Sequence, residues 1–325
     1  MQQGNVNSAS SYWVPRFALA AVVLMACLSS RVLAQQPGQK TFSSPEEAST
    51  ALVAAAQTND EKAMIDILGP DGRQIVSSGD ENEDTQSRAN FVQRYQEMHR
   101  LVMEPDGTTT LYIGAANWPT PIPLVSKGNT WYFDTDAGKI EILYRRIGQN
   151  ETSAISVCQE LVAAQKEYRA THDNQYAQKL FSDDGQRNGL YWKAAEGEAQ
   201  SPVGPLVASA VADGYAKTPD GSPTPYRGYY FRILARQKKT ASDSAKNYVV
   251  KGKMTEGFAF VAYPAEYRSS GVMTFIVNMD GVVYEKDLGR KTDAVAKSMK
   301  EYNPNSGWRE TEDQYDEAID AAVSK

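Results

Sequence analysis

Val272-Met273-Thr274-Phe275-Ile276-Val277-Asn278, then Met279-Asp280-Gly281, then Val282-Val283-Tyr284-Glu285-Lys286-Asp287, is the stretch that decides the fold. Two runs rich in β-branched and aromatic residues flank an Asp-Gly pair, the composition of an antiparallel hairpin. Working upstream, Phe258 to Tyr263 and Tyr229 to Arg236 have the same character, so the spacing predicts a four-strand antiparallel meander. Residues 182–228 before it are rich in Gly, Pro, Asp and Ser and predict a long loop. Before that loop, Ala154, Cys158, Leu161, Gln165 and Tyr168 recur at helical spacing, flanked by Ile155 and Val162. They predict a helix from an Asn150 cap to about Thr171.

The N-terminal half also reads as helices followed by a small sheet. Ser44-Pro45-Glu46-Glu47 is a helix start, with Ser44 as N-cap and Pro45 in the first turn. Asn59 and Asp60 open a second helix, which Gly69-Pro70-Asp71-Gly72 ends. Asp80 to Asp84 is expected as an acidic loop and Ser87 to Leu101 as a third helix, with Phe91, Tyr95 and Met98 inward. Thr108 to Ile113, Ile122 to Lys127 and Thr130 to Asp134 are strand candidates, the last two joined by a turn at 126–129. Ala137 to Ile147 returns to helical spacing, and Gly148 is expected to stop it.

The expected fold class is therefore α+β in two domains, 35–148 and 149–309, each with helices plus a small antiparallel sheet. An acidic tail follows at 310–325. In the second domain, a long helix, a variable loop and a meander resemble the globular head of type IV pilins, in architecture alone.

The first residues address the compartment. Arg16 precedes an apolar run from Phe17 to Ser30, and Val32-Leu33-Ala34 offers small or modest residues to a signal peptidase. This predicts a signal peptide at 1–34 and a periplasmic or secreted protein. The alternative is a lipobox at Leu24-Met25-Ala26-Cys27, which would anchor a lipoprotein through Cys27. Removing 34 of the 325 residues leaves 291, comfortable for two cores. The removed segment carries Arg16 and Arg31 and no acid, so the net charge would move from −6 to −8. Such a balance, without a Lys/Arg run, argues against nucleic acid as a partner. No run after Ser30 is long and apolar enough to span a membrane.

Five blocks are distinctive: Ile122-Pro123-Leu124-Val125 with Gly128, Trp131, Phe133-Asp134 and Gly138; Arg145 to Glu151; Asn188 to Trp192 with Ser201 to Val207; Gly228 to Leu234; and Ser270 to Val277. In this order they resemble the bacterial exported family known as domain of unknown function 2950, over roughly 42–308. The resemblance implies export and brings no activity with it.

Catalytic chemistry finds few materials. Cys158 is the one thiol left after cleavage, and His99 and His172 are the two imidazoles. His172 lies fourteen residues past Cys158, about 21 Å along a helix, too far to activate it. Cys158 on an apolar face reads as a buried structural residue. Asp80-x-Asn82-x-Asp84 starts like a calcium loop but has Thr85 where Gly and Phe91 where Glu are required. No metal and no cofactor are expected.

Two candidate sites remain. Trp192, Tyr226 and Tyr229, with Tyr191, Tyr215 and Tyr230, lie in or beside the long loop and are candidate anchors for a protein partner; they would equally pin the loop on its sheet. Glu141, Arg145, Arg146 and Glu151 form a candidate ionic cluster at the domain junction, though Glu141 and Arg145, four apart, also fit an ordinary helical surface pair. The expectation is a non-enzymatic binding or structural protein of the envelope, acting on another envelope protein. The alternative is a small-molecule or glycan binder, or a hydrolytic enzyme, using a cleft between the domains.

Overall fold

The computed structural model describes residues 35–77, 81–192, 194, 200–203, 225–239, 244–305 and 307–311. The expected signal peptide and lipobox, most of the acidic tail and Tyr215 lie outside the described residues. The described elements are mixed α and β, and the chain divides into two compact units between Lys139 and Ile140.

In the first unit, α1 (Pro45–Gln57) begins as its sequence dictates: Ser44 Oγ accepts from Glu47 N–H, and Glu47 reaches back to Ser43 N–H at 2.9 Å. This reciprocal capping satisfies donors that a helix start leaves open. Asp60 caps α2 (Glu61–Leu68) with a single bond, its carboxylate accepting from Ala63 N–H at 2.9 Å. The Gly-Pro-Asp-Gly segment ends α2 in a 3-10 turn, followed by the single turn α3 (Arg73–Val76).

Two expectations are corrected next. Residues 81–84 are no loop, because α4 spans Glu81–Glu97. The helix does not continue to Leu101 either. His99–Met103 is a strand, β1, paired antiparallel with β2 (Thr109–Ile113). Leu101, Val102 and Met103 fit either period, and cross-strand pairing with Leu111, Thr110 and Thr109 decides for the strand. β3 (Trp118–Pro119) also pairs with β2, and β4 (Leu124–Lys127) and β5 (Thr130–Phe133) complete the sheet through a two-residue turn at Gly128-Asn129. Ala48, Met64, Leu68, Leu124 and Phe133 are buried in its core. Gln39, buried among them, donates its side-chain amide to the carbonyls of Ile67 and Phe133, so its own polar group is satisfied.

A further correction concerns Gly148. One continuous helix, α5, runs Thr135–Thr171. A glycine ends a helix by turning left-handed, and Gly148 is not among the residues with positive φ. Asn150 is therefore no cap; its amide donates to the Ser270 carbonyl at 2.8 Å. The expected inward face is correct, since Ala154, Cys158, Leu161, Gln165 and Tyr168 are all buried. Gln165 both donates to the Ala177 carbonyl and accepts its N–H, at 2.8 Å each.

The second unit carries the predicted meander. It comprises β6 (Tyr229–Leu234), then the short β7 (Arg236–Gln237), β8 (Lys246–Asn247), β9 (Val249–Val250) and β10 (Lys253–Met254), and then β11 (Ala259–Pro264), β12 (Met273–Asn278) and β13 (Val283–Asp287). Helix α6 (Thr292–Ser298), β14 (Glu301–Tyr302) and β15 (Arg309–Glu310) follow. The main sheet has the order β15-β13-β12-β11-β6, all antiparallel. Asp280-Gly281 does sit at the β12–β13 turn, with Gly281 at φ 88°. β11 is buried at every position, as expected for a strand covered on both faces. A separate three-stranded sheet pairs β14 parallel to β7 and β7 antiparallel to β8.

Candidate functional site

The described residues of the first unit enclose an apolar cleft of about 560 Å³. Its floor is Leu68, Leu111, Ile113, Ile122 and Phe133, and its opposite wall is the α4 face carrying Ser87, Arg88, Phe91 and Arg94. α4 is strongly polar overall, so this one face supplies little packing and the space beside it stays open. Trp118 at the cleft is half exposed. Arg88 donates from Nη2 to the Val76 carbonyl at 2.9 Å, while its Nε is buried with no hydrogen-bond partner. An unsatisfied buried guanidinium N–H is costly, of order 1–3 kcal/mol. Among the described residues the lining therefore offers an apolar body and two cations, with Asp84 as its one carboxylate. Sequence reading missed this site. Phe91 and Tyr95 were recognisable as an inward face, and Arg88, three residues before Phe91, shares it.

The four residues of the expected ionic cluster do not form one constellation. Glu141 and Arg145 pair at 2.7 Å along the helix, the ordinary surface arrangement. Arg146 is exposed. Glu151 does something different: one carboxylate oxygen accepts the N–H groups of both Val272 and Met273, at 2.8 and 2.9 Å, fixing the start of β12. Burial is the largest influence on this carboxyl and raises its pKa; the two backbone hydrogen bonds oppose it, and the neighbouring charges of Glu285 and Asp287 add to the rise. Tyr229 lies beside it, its hydroxyl donating to the Met273 carbonyl at 2.9 Å. A Cβ on Gly271 would come within 2.1 Å of that hydroxyl, so only glycine fits there.

The aromatic candidates pack inward. Tyr229 is fully buried in the core, and burial followed by the Glu151 charge pushes its pKa up. Tyr226 and Tyr229 exchange two backbone hydrogen bonds across Arg227 (φ 42°) and Gly228 (φ 73°). Positive φ at both central residues marks the tight turn favoured between antiparallel strands. Trp192 is half buried, with the Arg187 guanidinium 5.7 Å from its ring and His172 at 6.3 Å. Tyr191, Trp192, Tyr226 and Tyr230 all pack on the core of their own unit.

The reactive side chains are held in structural roles. Cys158 is fully buried, which pushes its thiol up to about 12. His99 stacks on Tyr95 and His172 on Tyr168, at 3.8 and 3.7 Å. Among the described residues no group of three or more His, Cys, Asp or Glu could hold a metal ion. Asn82 and Asp84 of the supposed calcium loop lie on α4. No helix among the described residues is long and apolar enough to cross a membrane.

What the molecule presents is thus a mixed α+β protein with an open apolar cleft in one unit and a close-packed sheet in the other. Residues 39–311 match the family model "Protein of unknown function (DUF2950)", and the chain belongs to that family. Neither the curated proteins nor the solved structures provide a match.

Proposed function

We propose that this is an exported, non-enzymatic binding protein whose first unit takes a small amphipathic molecule with an apolar body and an acidic head. The observation that carries the reading is the cleft of about 560 Å³, apolar on its floor, with the unpartnered Nε of Arg88 in its wall. Its volume falls in the range of small-ligand sites, which combine apolar walls with a few placed polar groups. A carboxylate accepting from Arg88 would satisfy that donor, and the apolar tail would cover the part-exposed rings of Phe91 and Trp118. The export half of the reading rests on the charged, apolar and small-residue pattern of 1–34. The envelope-protein partner expected from the aromatic set receives less support, since those rings pack on their own sheet. The pilin-head likeness rests on the helix-then-meander order alone and adds no partner.

Titration with dodecanoate tests the binding, followed by native mass spectrometry and calorimetry. Saturable one-to-one binding is expected, weakened at least tenfold in Arg88→Met and in Ser87→Trp, which fills the mouth from an exposed helix position. Absence of binding, or binding unaffected by both variants, overturns the reading. Intact-mass analysis of exported protein tests the rest: a start at Gln35 supports it, and a lipidated Cys27 overturns cleavage after Ala34.

A further inference from the structure

The second unit holds a cleft of a different character, about 510 Å³, independent of the one above. Among the described residues Arg236, Lys238, Lys286 and Lys300 line it, against a single carboxylate, Glu301. None of the four cations has an ion-pair partner within 4.0 Å among the described residues. In a chain of net charge −6, four unpaired cations around one concavity are out of keeping with the rest of the surface.

The sheet explains how they are gathered. Successive residues of a strand face opposite sides, so β13 puts Glu285 and Asp287 on one face and Lys286 on the other. Glu285 is held by Arg309 at 2.5 Å and Asp287 accepts from the Tyr267 hydroxyl at 3.1 Å, which leaves Lys286 apart from both acids. β7 and β14 lie parallel in the second sheet and deliver Arg236, Lys238 and Lys300 to the same place.

Cations alone would suit any anion, but two further features narrow the chemistry. Trp308 lines the cleft, half buried against the core and therefore fixed, with the Lys286 ammonium 6.0 Å from its ring. A fixed indole is a platform for the apolar face of a sugar ring. Asn303 and Asn305 also line it, and each side-chain amide offers both donors and an acceptor, the complement of sugar hydroxyls. The cleft is a bounded concavity rather than a long track, which suits a short saccharide better than a nucleic acid strand, and the net charge of −6 disfavours a polyanion.

We propose that this cleft binds a short acidic carbohydrate, its ring on Trp308, its carboxylates on the lysines and Arg236, and its hydroxyls on the two asparagines.

Calorimetric titration of the full chain with trigalacturonate tests this, with maltotriose as the neutral sugar and triglutamate as the polycarboxylate without sugar. Trigalacturonate is expected to bind saturably and at least tenfold more tightly than either control. Lys238→Gln with Lys300→Gln, both at exposed positions, should weaken it at least tenfold while leaving the melting temperature and dodecanoate binding unchanged. Trp308→Ala, if it melts like the parent, should also weaken it at least tenfold. Equal binding of maltotriose overturns the role of the cations, and equal binding of triglutamate overturns the sugar. No binding of trigalacturonate, or no loss in the double lysine variant, overturns the proposal.

Discussion

The two units use similar ingredients to different ends. In the first, helices lean on a small sheet and leave a cleft beside the buried side chains of Leu111, Ile113, Ile122 and Phe133, with the half-exposed Trp118 at the same cleft. In the second, Tyr229, Tyr248, Phe258, Phe260 and Phe275 are fully buried, and β11 is covered on both faces. The difference follows from what packs against the sheet. α5 brings an almost unbroken inward face of small and apolar residues, from Ala154 to Tyr168, whereas α4 is polar with a few rings along one edge. Close packing gives stability, and incomplete packing gives room for a ligand.

Paired truncations should break this comparison if it is wrong. Phe275→Ala removes a fully buried ring from the second unit and should cost about 3–5 kcal/mol. Phe91→Ala removes a half-exposed ring from the cleft wall and should cost less than about 1.5 kcal/mol, because little surrounds it to collapse. Denaturant unfolding followed separately by signals from each unit checks both. Similar costs at the two sites would mean that the cleft is as tightly packed as the core.

Glu151 sharpens the account of the second unit. Glu151→Ala leaves the N–H groups of Val272 and Met273 without their acceptor, a loss of about 1–3 kcal/mol. Glu151→Gln keeps an oxygen in place and should cost much less. The pH dependence follows from the raised pKa. The folded state binds this proton more readily than the unfolded one, so stability falls as pH rises from the unfolded carboxyl value through the raised folded value. Glu151→Gln should remove that part of the slope, leaving the variant relatively most favoured above the window. Melting temperatures across that range read the effect; an unchanged slope would show that the two backbone hydrogen bonds balance burial, and a change of opposite sign that they outweigh it.

How much of this could be read in the chain depended on whether the deciding interaction was local. Ser44, Asp60 and Asp280-Gly281 act within a few residues, and each sits where the sequence placed it. The meander was legible because β-branched and aromatic runs repeat between turn residues. His99–Met103 was not, since only its pairing with Thr109–Ile113 distinguishes strand from helix end. Glu151 was picked out as an ionic residue, but its partners are backbone groups more than a hundred positions away. Neither cleft was legible as a space, because each is a gap between elements; only wall residues such as Phe91 carried a signal. The four cations of the second cleft are scattered over sixty-five positions, and no run of charge marks them.

The smallest expected effect concerns the helix that the sequence divides and the structure does not. Gly148 lies within α5, exposed, and a Cβ there would meet nothing within 4 Å. Glycine in a helix interior is less favourable than alanine by about 0.8–1.0 kcal/mol, because it loses more backbone freedom on folding. Gly148→Ala should therefore raise stability by up to about 1 kcal/mol, seen as a higher denaturant midpoint with the slope unchanged. A glycine that truly ended one helix before an Asn150 cap would answer differently. It would need a conformation that alanine resists, and the same substitution would lower the midpoint. Asn150→Ala separates the readings further. In a continuous helix it loses the bond to the Ser270 carbonyl, at roughly 0.5–1.5 kcal/mol, offset in part by alanine's better helix propensity. The net cost should therefore be small, whereas loss of a true helix cap would cost about 1 kcal/mol with no such offset.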